Sequence, residues 1–596
     1  MILDSDELNE EQRKAIEAEG NVFLEACPGS GKTRTLTYKI AERLSKLTSK
    51  KKFVIAITYT HRAADEIYDR VELLGVDTTN LWIGTIHSFC IEWILKPYRL
   101  YHKNICNGFR VINSHESEMM ITELCMPFRS KGISYYDCGY YYTSTGLKLN
   151  CSIARKHSDI NHILELYVSG LNANRQVDFE LILKYAYELL DENSSVGKLL
   201  ASLFSCILVD EFQDTKEIQY AIIANILKSG NGAVETFIVG DSNQAIYTSL
   251  GGFAVKAEKY AVMTGLEIQK MELEKNYRSS TRLISYFQNY SVVANNVKGV
   301  GEYKDYSSAI SYDRSTTKEN LPAEIARLIQ YNIEELGISP SEICVLAPWW
   351  IHLASMTRSL VTLLPEYSFT GPGLVPFARD IDNFWYKLSK ILLTDPSPHN
   401  YVRRTRWASE ILTRLDETIA DVTDVSKKKL LKYCNSLEVD ENDGLQYLKE
   451  AFDQLFELLN IDYHSIPMLI EHHKSFFDSS ESRIERIKRE GIDFIGDVET
   501  FRKVFVNREG VTVSSIHGVK GAEFDTVISY ALLDGVIPHF SDVDPEINAN
   551  KLLYVMSSRA RKNLFLISES NRKDGRRNEY QPTPQLAACT FNYDDV

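Results

Sequence analysis

Short apolar runs alternate with amphipathic stretches along most of the chain. Asn21-Val-Phe-Leu-Glu-Ala26, Phe53-Val-Ile-Ala-Ile57, Cys206-Ile-Leu-Val209 and Thr236-Phe-Ile-Val239 have the length and β-branched content of strands buried on both faces. Ile343-Cys-Val-Leu-Ala347, Val511-Thr-Val-Ser-Ser515, Thr526-Val-Ile-Ser529 and Leu564-Phe-Leu-Ile567 repeat the pattern later. Helical text lies between them, so the pattern predicts an α/β chain with parallel sheets. The alternation lapses twice. From about 91 to 200 the text is mostly helical, as in Asp178-Phe-Glu-Leu-Ile-Leu-Lys-Tyr-Ala-Tyr-Glu-Leu-Leu190, and between roughly 387 and 507 Leu445, Leu448, Phe452, Leu455 and Leu459 fall on one helical face. Both segments are expected as inserted helical subdomains. Within the first, Tyr135, Tyr136, Tyr140, Tyr141 and Tyr142 around Gly139 read as a tyrosine-rich loop lying on its own subdomain.

The first strand runs into the turn Ala26-Cys-Pro-Gly-Ser-Gly31 and then into Lys32-Thr33-Arg34, which opens good helix-forming text. A strand, a tight glycine loop and a helix N-terminus aim backbone N–H groups and partial positive charge at one point. Lys32 then reaches outer phosphates and the Thr33 hydroxyl ligates magnesium. The expected guest is ATP. Ala26 stands where the usual pattern has its first glycine. Upstream, Asn9 and Gln12 have the spacing of a capping box; the Gln12 amide also matches the N6/N7 edge of adenine. The run ending at Val209 delivers Asp210-Glu-Phe-Gln-Asp-Thr215, in which Asp210 can hold the magnesium and Glu211 can orient and deprotonate water. The next run delivers Gly240-Asp-Ser-Asn-Gln-Ala-Ile-Tyr247, with Gln244 placed to feel a γ-phosphate.

Composition narrows the partners. With 596 residues, a prior of about four domains applies. A hydrophobic content of 44% and a charged content of 25% are those of an ordinary globular protein, and the net charge of −14 means that any nucleic-acid contact must be local. The ten cysteines form no C-x-x-C pair, which disfavours zinc and disulfides and fits a reducing cytoplasm. Met1 to Glu11 has no targeting pattern, and nowhere do 18 apolar residues run together, so no membrane partner is expected.

Taken in order, Gln12, the glycine loop, Thr58-Tyr-Thr-His-Arg-Ala-Ala64, Gly84-Thr-Ile-His-Ser88, the Asp210 and Gly240 motifs, Asn276-Tyr-Arg-Ser279, Ser515-Ile-His-Gly-Val-Lys-Gly-Ala-Glu-Phe524 and Leu553-Tyr-Val-Met-Ser-Ser-Arg-Ala560 resemble the successive motifs of the UvrD/Rep/PcrA helicases of superfamily 1A. That resemblance implies two RecA-like P-loop motor domains: residues 1–90 and 201–270, then 271–386 and 508–580. It implies insertions at 91–200 and 387–507, with 581–596 as a tail. It implies that Arg278 and Arg559, carried by the second motor, act on the γ-phosphate, that Tyr277 stacks on adenine and that Glu523 contacts the ribose. Thr58, Tyr59, Thr85, His87, Ser88, Tyr247, His517 and Lys520 are the implied contacts to single-stranded or partly duplex DNA, and translocation is implied to run 3′ to 5′. One departure stands out. After Tyr247 the family continues with a glycine, an aromatic and an arginine, where this chain has Thr248, Ser249 and Leu250; Tyr247 or Phe253 could stand in for the aromatic. This departure and the compact insertions are similar to the helicase-like component of antiphage systems such as Gabija. They define the alternative expectation: a DNA-sensing ATPase subunit with a nuclease partner and little unwinding of its own.

Overall fold

The computed structural model describes residues 7–247, 251–349, 353–372, 383–417, 422, 424–489, 496–505, 510–540, 542, 544–574 and 577–596. The departure at Thr248, Ser249 and Leu250 lies outside the described residues.

The apolar runs become strands because each is covered on two sides. The first sheet holds β1 (Val22–Ala26), β2 (Phe53–Thr58), β3 (Leu81–Thr85), β4 (Phe204–Val209), β5 (Glu235–Gly240) and β6 (Gln269–Leu273), ordered β6-β1-β5-β4-β2-β3. Every pairing in it is parallel. Strand side chains alternate between faces, and two cores result. Phe23, Ile55, Ile57, Ile207, Val209 and Ile238 point into one, while Val22, Leu24, Val54, Ala56, Leu208, Phe237 and Val239 point into the other. The second core is closed by Leu36, Ile40 and Leu44 of α2 (Lys32–Ser45) and by Ile67 and Val71 of α3 (His61–Leu73), with Ala15 of α1 (Glu10–Glu17). Full burial of such a side chain is worth ~1.5–3 kcal/mol. The strand β6, which spans Met271, is the edge of this sheet and pairs with β1.

The first core extends without a break into the inserted segment. Ile112, Ile121, Ile160, Ile163, Leu164 and Leu181 belong to the same buried cluster as the sheet residues. Most of the insertion is helical. Of the tyrosine cluster, Tyr135 and Tyr136 sit in a turn, but Tyr140, Tyr141 and Tyr142 form a hairpin strand rather than a loop: Tyr140–Thr143 pairs antiparallel with Gly146–Leu149. Alternation decides this, because Tyr140 and Tyr142 turn inward. The Tyr140 hydroxyl donates to Asp178 at 2.5 Å and Tyr142 is buried, whereas the ring of Tyr141 between them lies 5.9 Å from the Lys216 ammonium.

The chain forms two compact units, Met1–Ser311 with Leu533–Leu564 and Pro582–Val596, and Tyr312–Leu532 with Phe565–Gln581. The second sheet comprises β7 (Ile310–Asp313), β8 (Ile343–Ala347), β9 (Phe369–Thr370), β10 (Val511–Ser515), β11 (Phe524–Ser529) and β12 (Ala560–Ile567), ordered β7-β12-β11-β8-β10-β9. In the second unit β8 lies between β10 and β11, parallel to both. The helical segment from Phe384 closes a core around Trp385, Phe452 and Phe456. Among the described residues no helix is long and apolar enough to cross a membrane.

Candidate functional site

Strand β1 ends at Ala26, and the chain turns through Cys27-Pro-Gly-Ser-Gly31 before α2 starts at Lys32. Gly29 and Gly31 hold φ of +66° and +81°, the left-handed region that glycine enters without strain. A Cβ would also collide at both: 2.6 Å from the Arg278 Cβ at Gly29, and 2.6 Å from the Gln12 Nε2 at Gly31. The Ser30 hydroxyl donates to the Cys27 carbonyl at 2.7 Å, and the Cys27 N–H donates to the Leu273 carbonyl at 3.1 Å. The N-cap of α2 is Gly31, which offers no capping side chain. Lys32 and Thr33 occupy the first turn, and Arg34 points outward to donate to the Glu7 carbonyl at 3.1 Å.

Gln12 is buried and completes the capping box of α1, where its Oε1 accepts from Asn9 N at 3.0 Å and Asn9 Oδ1 accepts from Gln12 N at 2.9 Å. Its Nε2 donates to the Ser30 carbonyl at 2.8 Å, so this amide ties α1 to the glycine loop.

Acids gather at the ends of β4 and β5. Asp210 follows β4, and its Oδ1 accepts from Glu211 N at 3.0 Å. Glu211 itself sits at φ +52°, an uncommon conformation for a residue with a side chain. Gln213 bridges the two strand ends, donating through Nε2 to Glu211 and accepting through Oε1 from Asp241 N at 2.9 Å. Burial, and then Glu211 beside it, raise the Asp210 carboxyl above the usual carboxylate range, while Lys32 pulls it down. Burial raises Asp241 as well, against the pull of Lys32 and of the Gln244 hydrogen bond. Glu25, one residue before the end of β1, is pushed up to about 7 by burial and then by Asp241; it accepts from Ser242 N at 2.7 Å and from the Ser242 hydroxyl at 3.1 Å. Asp210 and Asp241, both buried and both within reach of the Lys32 charge, offer carboxylate oxygens of the kind that a hard divalent cation such as magnesium takes.

The Asn276-Tyr-Arg-Ser279 segment closes over the glycine loop from the other side. Asn276 Nδ2 donates to the Pro28 carbonyl at 2.7 Å, and Tyr277 N donates to the Gly29 carbonyl at 2.9 Å. The Tyr277 hydroxyl accepts from Asn9 Nδ2 at 2.8 Å. Arg278 Nη1 donates to the Ser558 carbonyl at 2.8 Å. Arg559, 2% exposed, donates through Nη2 to Gln244 Oε1 at 2.8 Å and through Nε to the Val555 carbonyl at 3.0 Å. Gln244 Nε2 in turn donates to Asp241 Oδ2 at 2.7 Å. Both arginines therefore lie in the same compact unit as the glycine loop.

Beyond β2 and β3 are the residues expected to meet nucleic acid. The rings of Tyr59 and Tyr247 lie 5.0 Å apart at 33°, and Tyr59 is 45% exposed. Burial raises both phenols, Tyr59 to about 12. The Thr58 hydroxyl donates to the Thr60 carbonyl at 2.9 Å, Thr85 caps the turn Ile86–Phe89 by accepting from Ser88 N at 3.3 Å, and the His87 ring meets Phe179 edge-on at 5.3 Å. A cavity of about 50 Å³ separates this group from the acids, lined by Thr58, Tyr59, Thr85, His87, Asp210 and Gln219 among others. Phe253 packs on Tyr220 with the Lys259 ammonium 4.3 Å over its ring. His517, Lys520 and Glu523 belong to the second unit, on the segment between β10 and β11, where the His517 ring stands 6.0 Å from Trp349.

Sequence reasoning passed over three residues that hold this arrangement: Glu25, Gln213 and Asn243. Asn243 accepts from Val292 N and Val293 N, both at 2.8 Å, and donates to the Val293 carbonyl at 2.9 Å. Only a polar residue standing inside or beside an apolar strand end could have flagged them.

Comparison with known proteins identifies the family. A family model described as the UvrD/REP helicase N-terminal domain matches residues 8–252, and one described as the UvrD-like helicase C-terminal domain matches residues 495–571. The probable DNA helicase II homolog of Rickettsia conorii is 24% identical over 632 aligned positions, 95% of this chain and 93% of that protein. The ATP-dependent DNA helicase PcrA of Leuconostoc citreum is 24% identical over 635 positions, 95% of this chain and 82% of the relative. DNA helicase II of Salmonella typhimurium is 30% identical over 291 residues, 47% of this chain and 39% of that protein, so the chain spans well under half of that relative's length in the match.

Proposed function

From the premise that the chain belongs to the UvrD/Rep helicase family, we propose that it is an ATP- and magnesium-dependent DNA helicase that moves 3′ to 5′ along single-stranded DNA. The observation that carries this reading is the line Arg559, Gln244, Asp241, which ends beside the glycine loop and its Lys32.

Phosphoryl transfer asks for positioning and charge neutralisation more than for covalent help. Lys32 and the loop N–H groups would bind the phosphates, and Thr33 and Asp210 would hold the magnesium that accompanies ATP and neutralises its charge. Glu211, kept in place by Gln213, would orient the attacking water and take its proton. Arg278 and Arg559 would meet the γ-phosphate, and Tyr277 would stack on adenine beside Gln12. Arg559 donates to Gln244 and to the Val555 carbonyl, which fixes its guanidinium at the end of the Gln244 and Asp241 line, where it would meet an incoming anion. Loss of that anion on hydrolysis would release Gln244. Tyr247, three residues on, would carry the change to the base platform it forms with Tyr59, while Thr58, Thr85, His87 and Ser88 hold the strand.

ATP hydrolysis measured with and without single-stranded DNA tests the reading. Strong stimulation by DNA is expected, and no stimulation by any DNA would overturn it. Duplexes carrying a 3′ or a 5′ tail test direction, and only the 3′-tailed one is expected to be unwound. ATPase that responds to DNA while both duplexes stay intact would favour the alternative of a DNA-sensing subunit serving a nuclease, which rests on Thr248, Ser249 and Leu250.

A further inference from the structure

The chain carries 81 acidic residues in 596, about one in seven, yet residues 93–115 contain none, while Lys96, Arg99, Lys103 and Arg110 fall inside that stretch. The acids that flank it are committed elsewhere. Glu92 accepts from Trp82 Nε1 at 2.8 Å, and Glu116 pairs with Arg110 at 2.8 Å. At the centre is the turn Lys96-Pro-Tyr-Arg-Leu-Tyr-His-Lys103. Leu100 and Tyr101 are 75% and 64% exposed, and Lys96, Arg99 and Lys103 are exposed around them. The turn is nonetheless anchored: His102 points inward, 3.1 Å from Glu188, with its ring 4.5 Å from that of Tyr185. Two large apolar side chains are thus held in water by a buried neighbour, ringed by cations, on a protein whose overall charge is −14.

Helical turns run without interruption from Thr85, through Ile86–Phe89, the π-helical Cys90–Leu95 and Lys96–Tyr98, to this surface. Tyr98 is thirteen residues beyond Thr85 and ten beyond Ser88, and at ~1.5 Å each these place the turn about 15 to 20 Å from the two hydroxyls, roughly four to six stacked nucleotides further along a strand. We propose that Lys96–Lys103 is a second contact for single-stranded nucleic acid, with Lys96, Arg99 and Lys103 on phosphates and Tyr101, beside Leu100, under a base. This rests on the helicase reading and extends its footprint. Exposed rings between cations suit unstacked bases, which every sequence offers, better than the closed edge of a duplex.

The test uses the full chain, the triple variant Lys96→Ala/Arg99→Ala/Lys103→Ala and the single variant Tyr101→Ala. Fluorescence anisotropy is read over a salt series with oligothymidylates of about six and about 24 nucleotides, a range that brackets one site and an extended one. On the longer strand the triple variant should lower the slope of log K against log salt by about 2, three contacts at ~0.7 each, and Tyr101→Ala should weaken binding by about 5- to 100-fold. Binding of the short strand, and the ATPase it stimulates, should not change, which also shows that the variants are folded. An unchanged slope on the longer strand, with wild type binding it, overturns the proposal and leaves the turn to a protein partner. Failure of the wild type to bind either strand instead overturns the helicase reading on which the proposal rests.

Discussion

Replacing Glu25 by glutamine should stabilise the protein, and only above a defined pH. Glu25 titrates at about 7 in the fold against 4.5 when solvated, because burial and then Asp241 oppose its charge. Each tenfold change in proton affinity is worth ~1.36 kcal/mol, so the ionised side chain costs the folded state at most about 3 kcal/mol. Glu25 is half-buried, and water at its open edge trims the figure towards ~2 kcal/mol. The folded pKa lies above the unfolded one, so between about pH 4.5 and 7 the folded state holds a proton that the unfolded chain releases. Wild-type stability therefore falls as the pH rises through that window. Glutamine removes the charge but keeps an oxygen for Ser242 N. Calorimetry of the nucleotide-free protein at pH 4.5 and pH 8 should show no difference at the lower pH and a Glu25→Gln variant melting about 5 °C higher at the upper, at roughly 2–4 °C per kcal/mol. A variant less stable than wild type at pH 8 would mean that the two Ser242 hydrogen bonds outweigh the burial of charge, and the reasoning would fail.

Arg559→Ala should lower ATP turnover by ~10³ to 10⁵ while leaving the affinity for nucleotide comparatively intact, as stopped-flow binding of a fluorescent ATP analogue can check. Gly29→Ala should abolish nucleotide binding altogether, since its Cβ would fall 2.6 Å from that of Arg278 in a conformation alanine resists; equilibrium dialysis with ATP reads this. Tyr59→Ala and Tyr247→Ala should each weaken single-stranded DNA binding by ~1 to 3 kcal/mol. Because the two rings touch, the double variant should lose less than the sum, and strict additivity in a double-mutant cycle would show that they do not form one platform.

Much of the architecture could be read from the chain. Runs such as Ile343–Ala347 and Val511–Ser515 became strands with those bounds, because residues apolar on both sides have no other place to go in an α/β layer. The glycine loop was legible for a related reason: φ of +66° and +81° restrict the residue type at Gly29 and Gly31. The hairpin at Tyr140–Leu149 was not, since four consecutive aromatic and hydroxyl residues carry no alternation in polarity; it is distance from Asp178 and Lys216, remote in sequence, that sorts them inward or outward. Nor could Gln213 be singled out within Asp210-Glu-Phe-Gln-Asp-Thr215. Its role depends on β5 lying next to β4, and on Gly240 leaving room, as a Cβ there would stand 2.2 Å from the Gln213 Oε1.

The continuous core beneath the first sheet has a consequence for anyone rebuilding this molecule. A segment whose isoleucines lock into those of β2, β4 and β5 is not a detachable accessory. Excising it would open that core to solvent wherever Ile218, Ile222 and Ile226 of the helix Glu217–Gly230 do not cover it, and transplanting it would require a recipient whose sheet presents the same row of side chains. Diversity in this part of the enzyme should therefore arise at the outward turns and the hairpin tip, where change leaves the shared interior untouched.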